Sequence, residues 1–548
     1  MLMTRHVLIG ILLLCAGTLL APDPAVSAKP TAAARGPHLS GAIETLSALL
    51  QDVPGEAQAA RLRCSTTTSS AGNILSDCAF VAVAPHNEPH IAVNPTNDSN
   101  LVAGANGYEF YFQGGTLVVR SLNDFRASMD GGHTWTTGFL EMGGFNTATD
   151  PVFAFDSQGN AYYANVGYHT SQGGAAASNG SVLVAKSTDG GLHYALPVAV
   201  HKGFGNLGRS FFDDKEWMTV DTWPGSPHRD RIYVTWSGFE SGPGGAYLRS
   251  AIWFASSADG GRTWSPAREI SGSGPFCITQ VSGPANQCDE DQFSVPAVAP
   301  DGTLYVAFEN TNTAGPDFRS QYLVVRSSDG GMTWAGPFKV ADLVDGVFDY
   351  PVAINGRQTL TDVQYRVNSA GNVTVGPDGT VYLVWSDNRI GSTAATNTDV
   401  FLSTSTNQGV TWTTTPINVS NAPGDQFFPW IAVAPNGTIN VAYYDDGYDP
   451  GPGEVLLGMT LARSTTGGAS WTYTTVHTAL SDPNHARWFS GATNGRTLFI
   501  GDYNGLAVDP TGRAHMNWTD LRLNVASNLQ IPPNRVRNEN IFYATVGP

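Results

Sequence analysis

Acidic side chains recur in this sequence at two kinds of position, just before an apolar alternating segment and just after its partner. The first kind holds Glu88 in Asn87-Glu88-Pro89-His90, Asp150, Asp213-Asp214-Lys215-Glu216-Trp217, Asp289-Glu290-Asp291-Gln292, Asp425, and Asp502-Tyr503-Asn504. The second holds Glu309, Trp385-Ser386-Asp387-Asn388-Arg389, Asp445-Asp446 and Trp518-Thr519-Asp520-Leu521-Arg522. Two carboxyls about 5–9 Å apart can divide the work of glycoside cleavage between an acid and a base or nucleophile. Crowding of like charges raises one pKa and so supplies the acid. Asp291, Asp425 and Asp502 are the candidates for these roles. Arg389 and Arg522 can grip a carboxylate at two points, with Asp214, Glu216, Trp217 and Glu88 as further substrate contacts. The same residues have a plain structural use. Asp at a strand entrance caps backbone N–H groups, and Asp387 with Arg389, or Asp520 with Arg522, can pair within one unit.

The elements that must position these side chains are repeats, which decide the fold before any single residue does. Seven hairpins of alternating apolar residues run over 91–103, 152–164, 218–236, 295–308, 373–385, 431–443 and 506–518. Four of them turn at Asp301-Gly302, Asp378-Gly379, Asn436-Gly437 and Thr511-Gly512, where glycine supplies the positive φ that a tight turn requires. Between hairpins lies a second repeat, Ser-x-Asp-x-Gly-x-Thr-Trp. It is nearly complete at Asp130 to Trp135, Asp259 to Trp264 and Asp329 to Trp334. It is degenerate at Asp189 to Tyr194, at Asn407 to Trp412, and at Thr466 to Trp471. The aromatic ends fall roughly 60 to 80 residues apart, a period that suits four strands with variable loops.

Each box reads as a structural turn, with Asp bonded to its own backbone, glycine left-handed and tryptophan packed between sheets. The expected fold is all-β, a seven-bladed propeller of four-stranded blades, with six blades as the alternative. The seventh hairpin is followed by a single strand, 540–546, so the ring needs a fourth strand from elsewhere, and 78–83 is the expected lender. In such a ring the strand-entrance acids share one face with the loops after the second strands, and the boxes occupy the other.

Six boxes set in four-stranded units resemble the Asp-box repeats of the sialidase superfamily over roughly residues 87–546. The resemblance implies a propeller, a carbohydrate or glycoconjugate partner and no cofactor. By analogy with the tyrosine nucleophile of sialidases, it points to Tyr503 beside Asp502. The early Phe-Arg-Ile-Pro tetrapeptide of sialidases is not found, because Phe125-Arg126-Ala127-Ser128 runs straight into a box. The expected function is a secreted, sialidase-like hydrolase acting on a terminal acidic sugar at the channel mouth. The alternatives are a non-catalytic glycan- or protein-binding propeller and a polysaccharide lyase.

The 548 residues carry a formal charge of −17, which disfavours nucleic acid and anionic membrane surfaces as partners. Residues 1–28 read as a signal peptide ending in Val26-Ser27-Ala28, 29–77 as an arm or linker, and 78–548 as the propeller. A secreted, extracellular or periplasmic, monomeric protein without membrane insertion is the expectation. Loss of the leader removes Cys15 and leaves four cysteines, for which Cys64–Cys78 and Cys277–Cys288 are the simplest disulfides. Structural calcium is a weaker expectation, with Asp445, Asp446, Asp449 and Glu454 the best cluster.

Overall fold

The computed structural model describes residues 69–70, 72–77 and 85–548, apart from 114–115, 171–176, 206–207, 312–318, 354–355, 414, 421, 449–453, 487–488, 490–495 and 524–536. The expected leader, Cys64, Cys78, the expected lender strand at 78–83 and Asp449 lie outside the described residues.

All seven hairpins form, and the number of blades is seven. Their registers pair Ile91 with Ala103, Val152 with Ala164, Met218 with Val234 and Val295 with Ala307. They continue with Val373 opposite Leu383, Ile431 opposite Val441 and Leu506 opposite Met516. Gly302, Gly379, Gly437 and Gly512 take φ of 84, 82, 86 and 89°, as their turns demand. Each hairpin extends into an antiparallel sheet of four strands, with one short extra strand in the third and the seventh.

The innermost strands are His86–Asn94, Thr147–Phe155, Ser210–Val220, Asp291–Val298, Asn372–Val375, Gln426–Val433 and Gly505–Val508. Each packs against the next, and the last packs against the first, so they surround one axis. Trp236, Trp385 and Trp518 on second strands are fully buried between sheets. Burial of a side chain of that size contributes on the order of 2–3 kcal/mol.

The strand that completes the seventh blade is Asn73–Leu75, which pairs with Asn540–Val546. This differs from the expected lender at 78–83 and places part of the expected arm inside the ring. A polar latch fixes the choice. Asn73 Nδ2 donates to Val476 O at 2.9 Å, while its Oδ1 accepts from Thr478 N at 2.6 Å and from Arg522 Nη1 at 2.9 Å. Four residues on, Asp77 Oδ2 accepts the Ile541 N–H at 2.8 Å, and Arg126, buried and ion-paired to Asp124, reaches Ser76.

The six box turns share one hydrogen-bond pattern. Ser128 Oγ accepts from Gly132 N and Asp130 Oδ1 from Thr134 N, both at 2.8 Å. Equivalent bonds occur around Asp189, Asp259, Asp329 and Asn407, and the Thr466 hydroxyl replaces the carboxyl in the last turn. Trp135, Trp264, Trp334, Trp412 and Trp471 pack partly buried against the core clusters. The second box glycine sits hard against the preceding blade: a methyl on Gly331 would fall 2.2 Å from the Phe254 ring. The boxes therefore seat one blade on another.

Candidate functional site

Five inner strands break their ladder at the same place. The register slips between Asn87 and His90, Thr149 and Val152, Asp214 and Trp217, Gln292 and Val295, and Phe427 and Trp430. At each slip one non-glycine residue turns left-handed: Glu88 (φ 54°), Asp150 (56°), Lys215 (51°), Phe293 (55°) and Phe428 (50°). Such a conformation costs of order 1 kcal/mol or more per residue and persists only where the surroundings impose it. Three of the five also precede proline, which disfavours helical-type backbone further. A bulge re-aims side chains, and here it gathers charged groups of blades 1 to 3 around Tyr503.

Lys215 Nζ lies 3.6 Å from the centre of the Tyr503 ring and 4.8 Å from that of Trp217, with Phe293 at 6.0 Å. Glu88, Asp150, Glu216 and Asp502 all act electrostatically on the Tyr503 phenol. Glu88 Oε2 accepts from Asn106 Nδ2 at 2.7 Å, and Asn106 Oδ1 in turn accepts the Asp150 N–H at 2.9 Å, tying blade 1 to blade 2. Both oxygens of buried Glu216, the second oxygen of Glu88, the Tyr503 hydroxyl and Lys215 Nζ make no hydrogen bond. The loop bearing Asp502 and Tyr503 is pressed onto blade 1. Gly501 takes φ 94°, and a methyl there would meet Glu88 N at 2.8 Å.

Burial, and then the neighbouring Asp150 charge, pushes the Glu88 and Glu216 carboxyls well above the usual range. Burial, and then Glu88, pushes the Tyr503 phenol up as well. His90 is held down at about 3 by burial and by Lys215. It is neutral and accepts the Phe153 N–H at Nδ1, 3.0 Å away. His90, Trp430 and Tyr503 pack on Trp217 with ring centres at 5.1, 4.7 and 5.4 Å. Below this aromatic layer the channel widens into a cavity of about 480 Å³ lined by all seven inner strands on the box side. Above it a cavity of about 10 Å³, room for a single oxygen-sized group, is lined by Lys215, Phe293, Asp502, Tyr503 and Trp430.

Of the residues expected from the sequence, Glu88, Glu216, Trp217, Asp502 and Tyr503 come together here. Asp214 stands one residue before the bulge and adds to the charge acting on Glu216. Asp291, Asp425, Arg389 and Arg522 take partners outside this group. Asp291 and Asp425 lie before the slip, where the strand entrance is still regular and its acids serve neighbouring chain. Asp291 accepts from Asn310 Nδ2 at 2.7 Å, and Asp425 holds Thr396 and Thr398, each at 2.6 Å. Arg389 pairs with Asp387 and lies over Phe401, and Arg522 pairs with Asp520 and lies over Phe542. Trp385 and Trp518 donate to the same two carboxylates, so blades 5 and 7 repeat one Trp-x-Asp-x-Arg device that closes on itself. Both arginines thus pair within their own blades and stand apart from the group around Tyr503.

The sequence reading missed Arg366. It comes from the long connection between blades 4 and 5 and forms a buried ion pair with Asp502, with Nε 2.9 Å from Oδ1. Asn368 Nδ2 donates to the same oxygen at 3.1 Å. Lys215 and Asp150 also stand at strand entrances, Lys215 beside the candidate Glu216. The signal that marks the bulge is the Xaa-Pro pair at 88–89, 150–151 and 428–429, always two residues before the ladder resumes.

For calcium, Asp445 accepts from Gln426 and Thr460 side chains and Asp446 accepts the Asp425 N–H. Among the described residues no three His, Cys, Asp or Glu side chains are arranged to hold a metal ion. Cys277 and Cys288 form the expected disulfide, which is compatible with an extracellular setting. No described helix is long and apolar enough to cross a membrane.

The fold defines a seven-bladed β-propeller. Among solved structures similar to it is an ulvan lyase, at 11% identity over 85% of this chain and 94% of that one, with a TM-score of 0.44. Leech intramolecular trans-sialidase matches at 10% identity over 89% and 94%, TM-score 0.41. The α-L-arabinanase of Penicillium chrysogenum matches at 12% identity over 88% and 99%, TM-score 0.40. Similarity of this degree carries no argument about activity. No protein-family model matches the chain, and no curated protein does.

Proposed function

We propose that this chain is an exported, glycan-directed hydrolase that removes a terminal acidic sugar at the axial mouth of the propeller. One observation carries the reading. The Tyr503 hydroxyl, buried and without a hydrogen-bond partner, lies within the field of Glu88, Asp150, Glu216 and Asp502. Burial favours the protonated form of Glu88 and Glu216, and a protonated carboxyl can give its proton to the departing glycosidic oxygen. The phenol oxygen then bonds to the anomeric carbon as the glycosidic bond breaks, and the carboxylate just formed takes the phenol's proton. Water next attacks the anomeric carbon, and its proton restores the phenol. Asp502 touches the cavity but is neutralised by Arg366, so its part is to hold the Tyr503 loop.

A panel of chromogenic glycosides and polysaccharides tests this. Turnover of an acidic glycoside that falls at least about 100-fold in Tyr503→Phe and in Glu216→Gln supports it. Turnover unchanged in Tyr503→Phe overturns it. Saturable glycan binding without any turnover marks a binding propeller instead, and products that absorb in the ultraviolet through a new double bond mark a lyase.

A further inference from the structure

Four described arginines are each engaged by a carboxylate: Arg126 by Asp124, Arg366 by Asp502, Arg389 by Asp387, and Arg522 by Asp520, with Asn73 as a second partner. Lys215 differs from all four. It is 6% exposed, its Nζ has no hydrogen-bond acceptor, and it faces the narrow axial cavity together with the unpartnered Tyr503 hydroxyl. Three aromatic faces hold the charge in place. A desolvated ammonium gains from such faces, yet its N–H donors stay unfilled, and a buried unmade hydrogen bond is costly. The bulge that places Lys215 there is itself strained, at φ 51°.

We infer that Lys215 is the specificity-determining residue that recognises the carboxylate of the acidic sugar, donating from Nζ to an oxygen that enters the cavity beside the Tyr503 hydroxyl. The inference rests on the hydrolase reading above for the identity of the ligand, and on the unfilled ammonium for the site. A charge-assisted bond from a single lysine replaces the two-point grip of an arginine. Three of the four nearby acids leave room for an anion, and Asp150 opposes it. Burial favours neutral Glu88 and Glu216, and Arg366 cancels Asp502. The chain as a whole carries −17, so an acidic sugar approaches against the overall field, and a local cation is what holds it.

Titration of the full exported chain with glucuronate, N-acetylneuraminate and neutral glucose, followed by the fluorescence of Trp217 and Trp430, provides the test. Saturable responses to one or both acids and none to glucose are expected, weakened at least tenfold in Lys215→Met and partly kept in Lys215→Arg. Far-ultraviolet dichroism confirms that the variants fold, and the arginine variant keeps the test valid if the methionine variant does not. Equal acid binding by wild type and Lys215→Met, or no response of the wild type to either acid, overturns the inference. Acid binding without turnover of any glycoside removes the hydrolase reading and leaves Lys215 in its role. Turnover of acidic glycosides at wild-type KM in Lys215→Met does the reverse.

Discussion

Arg366 and Asp502 stand 136 residues apart in the chain and meet as a buried ion pair, Nε to Oδ1 at 2.9 Å, with the Arg366 guanidinium also lying 4.8 Å from the Phe499 ring centre. The pair joins the connection between blades 4 and 5 to the loop that presents Tyr503. Removal of one member strands a charge away from water, whereas removal of both does not. Arg366→Met is expected to cost about 3–5 kcal/mol, and Arg366→Met with Asp502→Leu distinctly less. Urea unfolding of both variants checks this, and a double variant no better than the single one refutes the pairing argument.

Gly501 tests how tightly the Tyr503 loop sits on blade 1. An alanine there combines a positive φ with a methyl 2.8 Å from Glu88 N, so Gly501→Ala is expected to lose about 1–3 kcal/mol. It should also lower any glycosidase activity, because Glu88 and Tyr503 must separate. Stability and kcat measured together decide the point, and loss of neither contradicts the close approach.

The box turns should affect stability without affecting chemistry. Gly331→Ala places a methyl 2.2 Å from Phe254 in the neighbouring blade, and overpacking of this kind costs about 1–3 kcal/mol. Turnover per folded molecule is expected to stay at the wild-type value, since the box lies on the face opposite Tyr503. A variant that folds normally but has lost turnover would assign the box a chemical role.

Acidity should stabilise the fold. Burial raises Asp77 and Asp289 to about 6 and Glu290 and Asp446 to about 7. In the unfolded chain these groups ionise near 4. Each contribution is therefore complete below about pH 4 and lost as pH rises through 6 to 7. His86, His90, His477 and His515 work the other way, since burial lowers all four, and their contribution disappears as pH falls below 6.5. Burial also raises Glu88, Asp124, Asp213, Glu216, Asp291, Asp425 and Glu539, so the raised carboxyls outweigh the lowered imidazoles and Tm is expected to be higher at pH 5.5 than at pH 8. Calorimetric melts across that range check the sign, and a Tm that rises toward pH 8 contradicts it.

The latch at Asn73 gives a fifth stability test. Asn73→Ala leaves Thr478 N and Arg522 Nη1 without their shared acceptor and Val476 O without its donor. A loss of about 2–4 kcal/mol is expected, on the scale of one to three kcal/mol for each buried group left unsatisfied. Denaturant melts that move by less than about 0.5 kcal/mol would show the strand held by its ladder alone.

Hairpins and boxes were legible because each is written in a few adjacent residues: alternation, an Xaa-Gly turn, a serine two places before an acid. The site was legible only where it coincided with that grammar. Glu88, Glu216, Trp217, Asp502 and Tyr503 stand at strand entrances, where the repeat itself marks them as candidates. Arg366 belongs to a connection that repeats nothing, and only the folded ring brings it to Asp502. Asp291 and Asp425 occupy entrances too, yet a slip of the ladder beyond them decides which side chain reaches the axis. That slip puts Glu88, Asp150, Lys215, Phe293 and Phe428 into a conformation their own preferences oppose, so no local rule announces it. The lender strand failed differently. Short apolar segments near residue 80 look alike, and the side chain of Asn73 rather than its hydrophobicity selects the register.

Closure by Asn73–Leu75 against Asn540–Val546 has a consequence for biogenesis. Asn73–Leu75 cannot find its partner until residues 540–546 have been synthesised, so the circle closes only after all seven blades have emerged. A ring assembled in this order stays open through the synthesis of all seven blades and closes only when these two strands meet.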